Sequence, residues 1–593
     1  MGVASPGAEA REIAPTPGWL SFPCYAVVAL LAVSYSFTEM MGSDLWWHLA
    51  AGREMFERGT IRLVEDWSYT AAGEVWRNHE WLADVVYHGW VSAFGVTSLV
   101  YWKWLMLALI FGFLQRALLR LGEPAAALLA CLAAMAIAAP FIDIRPQLYS
   151  LLGIAVLLNI ALLRPPKLVP LLVLFLVWAN VHGGFLFGLM LLSLLVFPWG
   201  APVPGNLLRA AVPVLAAATV VLINPDGINA YAYPLEYALN SDSPYRTLGE
   251  WRPPFERGGI RSPLYDDALL TAAVLGTLAL LAMLPRLPMN AVSKRLAGIL
   301  APPLRRLPQV PGEVLAAVLL TTAMSLTSRR FVILFAVAFA LLATPFLSAL
   351  LRHRWRTAVQ LLVVAAALMF AGVRLAAYPL RSEASFHYLT GAYSFPEAIA
   401  DYLEVNDLKG TVFAYYNWGG YLHWRTAGNL QVFIDGRANT IYSDEQYLEY
   451  MAVLRQKPGW AERVEASGAK YFLWSFRRGG PRFKQELLQS QRWVLLYEDT
   501  AGFLLARRDQ RFPPSLRIPR KGVAAQVAVA RDALRRRDFT TALDYARAAY
   551  DERPWDYRAC RWLRLALQRQ GQAVEADQIL SDCRARFPSR YLR

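Results

Sequence analysis

Long apolar runs separated by short polar segments fill the chain up to about residue 380, and the pattern disappears after that point. A run of about twenty apolar residues crosses a membrane as a helix, because its backbone groups then bond to one another. About eleven such runs predict a polytopic α-helical membrane protein, preceded by a cytoplasmic tail of residues 1–20. The predicted spans are residues 22–41, 97–115, 124–142, 147–163, 168–180, 184–199, 208–223, 268–285, 312–327, 331–351 and 357–378.

The loops between these spans form two chemical sets. One set is basic and almost free of acid, which by the positive-inside tendency predicts the cytoplasmic side. The other set carries nearly every unusual polar residue of the membrane part, which predicts one functional face on the outer side, with everything after Arg381 also outside. The basic set comprises Arg116, Arg120, Arg164, Lys167, Arg209, Arg286, Lys294, Arg295, Arg305, Arg306, Arg352, Arg354 and Arg356.

The chain carries a net charge of +15. Much of the excess lies in loops between spans or in the C-terminal helices, where basic residues report orientation more often than nucleic-acid binding. The expected surroundings are therefore membrane lipids, and no nucleic-acid partner is predicted. Cys24 and Cys131 lie in spans, whereas Cys560 and Cys583 share one C-terminal segment, in which the sequence leaves a disulfide open.

Two further regions follow the membrane domain of residues 21–380. Residues 381–510 alternate short helical and strand patterns, such as "PEAIADYLEV" and "GTVFAYY", which predicts an extracytoplasmic α/β domain. Residues 511–593 are helical throughout and align with themselves at an offset of 34 residues, which places Ala542 on Ala576. This period resembles tetratricopeptide (TPR) repeats and indicates either a packed helical cap or a surface that binds a protein partner.

The first outer loop, residues 42–96, begins with "GSDLWWHLAAG". Asp44 suits a helix N-cap, where its carboxylate accepts backbone N–H groups and faces the positive end of the helix dipole. His48 lies one turn later on the same face, within reach of Asp44. Trp46 and Trp47 are predicted anchors at the membrane interface, which amphipathic aromatic side chains favour.

The same loop continues with "RNHEWLADVVYHGW", in which Glu80, Asp84 and His88 are four residues apart. On a helix these side chains share one face, and two carboxylates at that spacing repel each other by ~0.2–0.5 kcal/mol unless a cation, a proton or a basic partner intervenes. Two interpretations stay open: a solvated face with an arginine partner, or a metal or acid–base cluster.

Basic and imidazole side chains complete the outer set. Arg145, Arg329 and Arg330 suit either a phosphate, through forked hydrogen bonds, or lipid headgroups at the membrane boundary. In "NVHGGF", His182 precedes a glycine pair at which a backbone can approach a ligand closely, although a hydrogen bond between helices would explain it equally well.

Several motifs together resemble the GT-C superfamily of membrane glycosyltransferases, and more closely a group of bacterial multi-pass proteins. The motifs are "DLWWHLAAGREMFERG…DWSYTAAGEVWRNHEWLAD", "WANVHGGFLFG", "SRRF" and "YYNWGGYL…VFIDGR". In addition, "AYYNWGGYLHW" resembles the Trp-Trp-Asp-Tyr-Gly acceptor motif of oligosaccharyltransferases. Asn417 stands where that motif has aspartate, so its peptide specificity does not carry over, and a strand-to-helix turn with aromatic packing explains the same residues.

The resemblance implies a GT-C-like fold and a sugar donor linked to polyprenyl phosphate. It assigns a base or metal-ligand role to the aspartate after the first span, here Asp44, with a divalent cation such as Mg or Mn as an optional cofactor. Together with the residue chemistry above, the predicted catalytic residues are Asp44, His48, His79, Glu80 and Asp84, with Asp44, Glu80, Asp84 and His88 as possible metal ligands. The predicted donor-phosphate residues are Arg145, Asn180, His182, Arg329 and Arg330, and the predicted acceptor residues are Tyr415, Tyr416, Asn417, Trp418, Asp435 and Arg437.

We therefore predict an enzyme of the bacterial cytoplasmic membrane that transfers a sugar from this donor to a lipid, glycan or protein acceptor at the outer face. A glycan polymerase or ligase on the same face is one alternative. A non-catalytic membrane assembly protein on the same scaffold, recruiting partners through its repeats, is another. The enzyme hypothesis requires Asp44, His48, His79, Glu80, Asn180, His182 and Arg329 to converge in space.

Overall fold

The computed structural model describes residues 18–38, 44–240, 242–283, 306–351, 356–391, 395–512 and 515–587. The predicted tail up to residue 17 and the basic loop residues Arg286, Lys294, Arg295, Arg305, Arg352 and Arg354 lie outside this description. The α-helices, in chain order, are α1 (Ser21–Tyr35), α2 (Asp44–Arg58), α3 (Trp81–Phe94), α4 (Leu99–Leu118), α5 (Pro124–Ala138), α6 (Gln147–Ala161), α7 (Leu168–Val181), α8 (Phe185–Val196), α9 (Pro204–Val221), α10 (Asn229–Leu239), α11 (Tyr265–Met283), α12 (Gly312–Thr327), α13 (Val332–Leu350), α14 (Arg356–Ala376), α15 (Ser382–Gly391), α16 (Glu397–Val405), α17 (Gly419–Thr426), α18 (Asp444–Leu454), α19 (Trp460–Ala466), α20 (Gly480–Gln489), α21 (Val523–Arg535), α22 (Phe539–Glu552), α23 (Tyr557–Arg569) and α24 (Ala573–Arg586).

Six helical segments in the described chain are long and apolar enough to cross a membrane, judged by length and composition. They are Val96–Leu118, Pro124–Phe141, Pro204–Val221, Tyr265–Met283, Arg329–Leu350 and Arg356–Ala376. Five shorter apolar helices, α1, α6, α7, α8 and α12, occupy the positions of the remaining predicted spans. The chain is thus a multi-pass membrane protein, while the count of eleven spans stays a prediction.

One tryptophan shows how tightly the apolar helices pack. The indole of Trp178, in α7, lies against Gly153 of α6 and Gly188 of α8, where a Cβ atom would approach the ring to 2.6 Å in each case. Its Nε1–H donates to Ser150 Oγ in α6 at 2.8 Å. Because glycine leaves room for the ring on both sides, α7 is fixed against its neighbours, and with it the residues that follow α7.

A five-stranded sheet forms the core of the region after residue 395. Its strands are β1 (Gly410–Ala414), β2 (Leu430–Val432), β3 (Tyr471–Ser475), β4 (Trp493–Glu498) and β5 (Gly502–Arg507), in the order β2-β1-β3-β5-β4. β1 pairs in parallel with β2 and β3, whereas β5 pairs antiparallel with β3 and β4. Helices alternate with the first three strands along the chain, as expected of parallel pairing.

The loop between α2 and α3 covers the free edge of β2. Val432 N donates to Trp67 O at 2.8 Å, and Tyr69 N donates to Val432 O at 3.2 Å, which forms a parallel bridge between Ser68 and Val432. The membrane part and the sheet therefore share one continuous backbone network. The tryptophans of α2 belong to the same junction: Trp46 is 4% exposed and its ring lies 4.7 Å from that of Trp424. Trp46 and Trp47 are thus buried between regions and are not the interface anchors that their type suggested.

The last four helices, α21 to α24, form two consecutive pairs. α23 begins 34 residues after α21, and α24 begins 34 residues after α22, which agrees with the period in the sequence. Ala542 and Ala576 are both fully buried, and a disulfide joins Cys560 of α23 to Cys583 of α24 with a Cα–Cα distance of 6.2 Å. Assignment of these helices to the TPR class stays a prediction.

Candidate active site

Close packing of α2 against α3 brings the polar residues of the first loop together. Gly52 of α2 lies against the backbone carbonyl of Asp84, and a Cβ atom at Gly52 would collide with it. Asp84, fully buried in α3, therefore faces the preceding turn of α2. There His48 Nδ1 lies 2.5 Å from Asp84 Oδ1, and Asn78 Nδ2 donates to Asp84 Oδ2 at 2.6 Å. His48 thus contacts Asp84 of the next helix, although helical spacing pointed to Asp44.

The carboxylate of Glu80, just before α3, lies among three imidazoles. Its Oε2 is 3.9 Å from His48 Nε2, and its Oε1 is 3.9 Å from His79 Nε2 and 3.7 Å from His182 Nε2. We call Glu80, His48, His79 and His182 the carboxylate–histidine cluster. These separations exceed hydrogen-bond length. The three imidazoles therefore surround the Glu80 carboxylate without forming hydrogen bonds to it.

Hydrogen bonds to the outer nitrogens orient two of these rings. The short contact with Asp84 holds the His48 ring. Gly184 N donates to His182 Nδ1 at 2.9 Å, and Ser150 Oγ lies 2.6 Å from the same nitrogen. Because a backbone N–H can only donate, His182 Nδ1 carries no proton in the neutral ring. The proton of His182 therefore sits on Nε2, which faces Glu80.

Burial sets the protonation states of the cluster. Removal from water raises the pKa of Glu80 to about 7, an effect that nearby His48 and Arg330 partly offset. The same burial lowers the pKa of His48 to about 4 and that of His79 to about 3. Near neutral pH these two imidazoles are uncharged, while Glu80 exchanges its proton in the range at which a general base works best.

A network of alternating charges lies beside the cluster. Arg145 pairs with Asp44 through Nη2 and with Glu250 through Nη1, the latter at 2.9 Å. Arg330 Nη1 lies 3.5 Å from the other Glu250 oxygen, and its guanidinium stacks 4.8 Å above the ring of Trp251. Burial acts to raise the pKa of Glu250, but Arg145 and Arg330 outweigh it and hold the pKa at about 2. We call Asp44, Arg145, Glu250 and Arg330 the arginine–carboxylate network.

Three other candidate residues lie apart from these contacts. Arg329 is buried and donates to the carbonyls of Gly249, at 3.2 Å, and Glu256, which fixes the loop that carries Glu250. Asn180 Oδ1 accepts from Trp81 Nε1 at 3.0 Å, joining α7 to α3. His88 lies 3.2 Å from Ser92 Oγ. The first two position the site, and the third is remote from Glu80.

The residues assigned to the acceptor are mostly enclosed. Tyr415–Trp418 form the turn between β1 and α17, in which Trp418 is 1% exposed and packs against Gly502. The Tyr416 backbone N–H donates to Tyr450 OH at 2.8 Å. Tyr415 and Asn417 are the half-buried members of the motif. The turn therefore accounts for most of the motif through packing.

Asp435 and Arg437 form a closed cluster with Glu65 of the first loop. Arg437 Nε donates to Asp435 Oδ1 at 2.9 Å, and its Nη2 donates to Glu65 Oε1 at 2.9 Å and to Tyr442 OH at 3.1 Å. The guanidinium also stacks 4.2 Å from the ring of Trp67. We call this set the Arg437 clasp, because it joins the loop to the sheet region by pairing two buried carboxylates with one guanidinium.

The described residues do not fit a divalent cation. No group of three or more His, Cys, Asp or Glu side chains in the described ranges is arranged to hold a metal ion. Asp44 is engaged by Arg145, His88 lies elsewhere, and His182 presents a protonated nitrogen where a metal needs a lone pair. The ligand set Asp44, Glu80, Asp84 and His88 therefore does not converge.

No protein-family model and no curated protein matches the chain. Among solved structures, the crystal structure of the Archaeoglobus fulgidus oligosaccharyltransferase in complex with Zn and sulfate is similar, at 14% sequence identity and a TM-score of 0.46. The match covers 83% of this chain and 74% of that one. A likeness at this TM-score supports no inference about function.

Four residues of the site were not among the site residues predicted from the sequence. Ser150 positions His182, Asn78 positions Asp84, Glu250 links the two arginines, and the ring of Tyr233 packs at a tilt against that of His79, 4.3 Å away. Glu250 and Trp251 belong to the outer polar set of loops, but no role was predicted for Glu250. A serine in an apolar helix gives no comparable signal, because it usually bonds to its own backbone.

Proposed function

We propose that this protein is a membrane glycosyltransferase, which transfers a sugar from a polyprenyl-phosphate donor to a hydroxyl-bearing acceptor. The observation that carries the proposal is the juxtaposition of Glu80, a carboxylate with a pKa of about 7, and Arg330, a guanidinium close enough to lower that pKa. One group accepts a proton near neutral pH, and the other stabilises negative charge on an oxygen. Glycosyl transfer to a hydroxyl from a phosphate-linked donor needs both.

The position of the site supports a lipid-linked donor. His182 directly follows the apolar helix α7, and Arg330 lies within the apolar segment Arg329–Leu350, at its start. Residues at the ends of membrane-crossing helices lie at the depth of lipid headgroups. A phosphate attached to a polyprenyl chain is held at that same depth. Arg330 can therefore meet the donor phosphate while the chain of the lipid remains among the apolar helices.

In the proposed reaction, the acceptor hydroxyl oxygen attacks the anomeric carbon of the donor. A bond forms between these two atoms as the bond from the anomeric carbon to the phosphate oxygen breaks, and polyprenyl phosphate leaves with the electron pair. Glu80 takes the hydroxyl proton, and the Arg330 guanidinium stabilises the charge on the departing phosphate. Asp44 and Glu250 hold Arg145 and Arg330 in place.

Release of polyprenyl phosphate from synthetic short-chain donors, measured with the full chain in lipid nanodiscs, tests the proposal. Glu80→Gln keeps the size of the side chain but cannot take a proton, and we expect at least a ~100-fold loss of rate. His88→Gln, in the same loop but remote from Glu80, is the matched control and should retain the wild-type rate. A wild-type chain that releases no product from any hexose donor, together with full cellular function of Glu80→Gln, would indicate an assembly protein instead. Products of many sugar units would indicate a polymerase.

A further inference from the structure

A polar cleft lies where the end of α10 and the loop after it face the segment between β2 and α18. Its volume is about 230 Å³. The lining residues are Glu236, Asn240, Ser243, Asn439, Tyr442, Ser443 and Asp444. Pockets for drug-sized ligands occupy roughly 300–1,000 Å³, so this cleft suits a group of about one sugar ring.

The cleft lacks the guanidinium groups that the arginine–carboxylate network contains. Its lining consists of carboxylates, amides and hydroxyls, without Lys or Arg. In the described parts of the chain, the exposed carboxylates of Glu236 and Asp444 make no ion pair and accept no side-chain hydrogen bond. Such a lining can accept and donate hydrogen bonds to hydroxyl groups, whereas its negative charge disfavours a phosphate or another anion.

A line of contacts connects the cleft with the carboxylate–histidine cluster. Tyr233 OH lies 3.3 Å from Asn439 Oδ1, in the lining of the cleft. The ring of Tyr233 lies 4.3 Å from the ring of His79, and His79 Nε2 lies 3.9 Å from Glu80 Oε1. The cleft is therefore separated from Glu80 by two side chains that touch each other.

One wall of the cleft is held rigidly. Tyr442 is 3% exposed, and its hydroxyl accepts from Arg437 of the clasp at 3.1 Å. Ser443 caps α18: its side chain accepts from Gln446 N at 3.3 Å, while the Gln446 side chain accepts from Ser443 N at 2.7 Å. A wall fixed in this way costs little further ordering when a ligand binds.

We propose that this cleft binds the acceptor, and that the acceptor is a saccharide without acidic groups. One sugar unit occupies the cleft through hydrogen bonds to Asn439, Asn240 and the two carboxylates, while a hydroxyl of the next unit reaches Glu80 past Tyr233. The site thus separates two ligands by charge, with the phosphate of the donor at Arg330 and the hydroxyls of the acceptor at the cleft. The acceptor role rests on the proposed function, whereas saccharide binding at the cleft is measurable without any turnover.

Saturation-transfer NMR on the full chain in nanodiscs tests this binding directly. The probes are methyl β-glucoside and methyl β-N-acetylglucosaminide as uncharged saccharides, methyl β-glucuronide as an acidic one, and a Lys-containing tripeptide. We expect a response to the uncharged glycosides and a weaker one to the glucuronide. Asn439→Leu should reduce the affinity for the uncharged glycosides ~3- to 10-fold, as expected for the loss of one or two hydrogen bonds.

Two further variants separate the cleft from its surroundings. Glu445→Gln removes an exposed acid beside the cleft that does not line it, and binding should be unchanged. Asn240→Ala, at the exposed end of α10, replaces Asn439→Leu if circular dichroism shows that the latter is misfolded. The double variant Glu236→Gln/Asp444→Asn should bring the response to the glucuronide up to that of the uncharged glycosides.

The outcomes separate this inference from the proposed function. Glycoside binding that depends on Asn439, in a chain that releases no polyprenyl phosphate, would support the cleft and refute the transferase. Turnover of the donor without any glycoside response, or with a response that neither asparagine variant reduces, would overturn the cleft as the acceptor site. A stronger response to the tripeptide than to the glycosides would also overturn it, because the acidic cleft would then be a peptide site.

Discussion

The first loop contributes to two clusters of buried charge, and they are built differently. In the Arg437 clasp, hydrogen bonds of 2.8–3.1 Å join Arg437 to Asp435, Glu65 and Tyr442, and neither Asp435 nor Arg437 is more than 2% exposed. In the carboxylate–histidine cluster, the imidazoles approach Glu80 only to 3.7–3.9 Å, and Glu80 is 8% exposed. One cluster is closed and the other retains capacity for a further partner.

This difference separates a structural role from a chemical one. A buried charge is costly unless it is paired and hydrogen-bonded. A cluster in which every charged group already has such partners holds two regions together and has no charged group free to bind a ligand. A buried carboxylate that lies among neutral imidazoles without hydrogen bonds to them keeps a raised pKa and is available to a substrate. Whether a candidate residue is structural or functional is therefore indicated better by the number of hydrogen-bond and ion-pair partners that it already has in the protein than by its residue type.

Removing the central cation of the clasp should have the largest effect. Arg437→Met leaves the buried carboxylates of Asp435 and Glu65 with a backbone N–H donor each but no cation, and we expect the free energy of unfolding to fall by ~3–5 kcal/mol. Thermal unfolding of the purified full chain measures the loss. The triple variant Glu65→Gln/Asp435→Asn/Arg437→Met, which contains no charge in the clasp, should recover much of it. Unchanged stability of Arg437→Met would mean that the clasp does not hold the loop to the sheet.

The rate of donor turnover should depend on pH through Glu80 of the carboxylate–histidine cluster. The pKa of Glu80 is raised to about 7, so the carboxylate is protonated below that value and cannot act as a base. Donor turnover should therefore fall about tenfold for each pH unit below 7 and level off above it. Rates between pH 5 and 9 test this. A profile that stays flat to pH 5 would assign proton transfer to a different group.

The same raised pKa has a consequence for stability. Unfolding returns the Glu80 carboxyl to water, where its pKa is about 4.5. Between about pH 4.5 and 7 the folded chain therefore binds more protons than the unfolded chain does, so this residue makes the protein less stable as pH rises. Glu80→Gln should remove that slope in thermal unfolding.

A smaller effect is expected at Asp44. The structure places its carboxylate on Arg145, so Asp44→Asn should weaken the positioning of the arginine–carboxylate network and slow turnover by roughly threefold to tenfold. Glu80→Gln in the same preparation is the reference. If Asp44→Asn loses as much rate as Glu80→Gln, Asp44 takes the proton and the roles of the two acids are reversed.

The smallest effect on stability and turnover should come from an exposed ion pair that lies outside both clusters. Arg463 and Glu449 pair on the surface, with their side chains 43% and 39% exposed. Arg463→Gln should change the free energy of unfolding by less than about 1 kcal/mol and leave turnover unaffected. A loss of stability comparable to that of Arg437→Met would show that burial and hydrogen bonding do not explain the stabilising effect of the Arg437 clasp.

The sequence predicted the elements of this structure better than their contacts. Apolar run length placed a helix at every predicted span, because that signal is local. Glu80, His48, His79 and His182 were all recognised as candidates. However, the pairing of His48 with Asp84 depends on the close approach of α2 and α3 at Gly52, and the burial of Trp46 depends on residues far along the chain. Neither contact has a signature in local spacing.

The bridge between Ser68 and Val432 has a consequence for biogenesis. An uncovered strand edge invites pairing with other chains and hence aggregation. The ribosome completes the loop that covers β2 long before it makes β2 itself, so the cover is available when the strand emerges. A truncated chain that begins after the membrane domain would lack the cover, and its β2 edge would be open to neighbouring molecules.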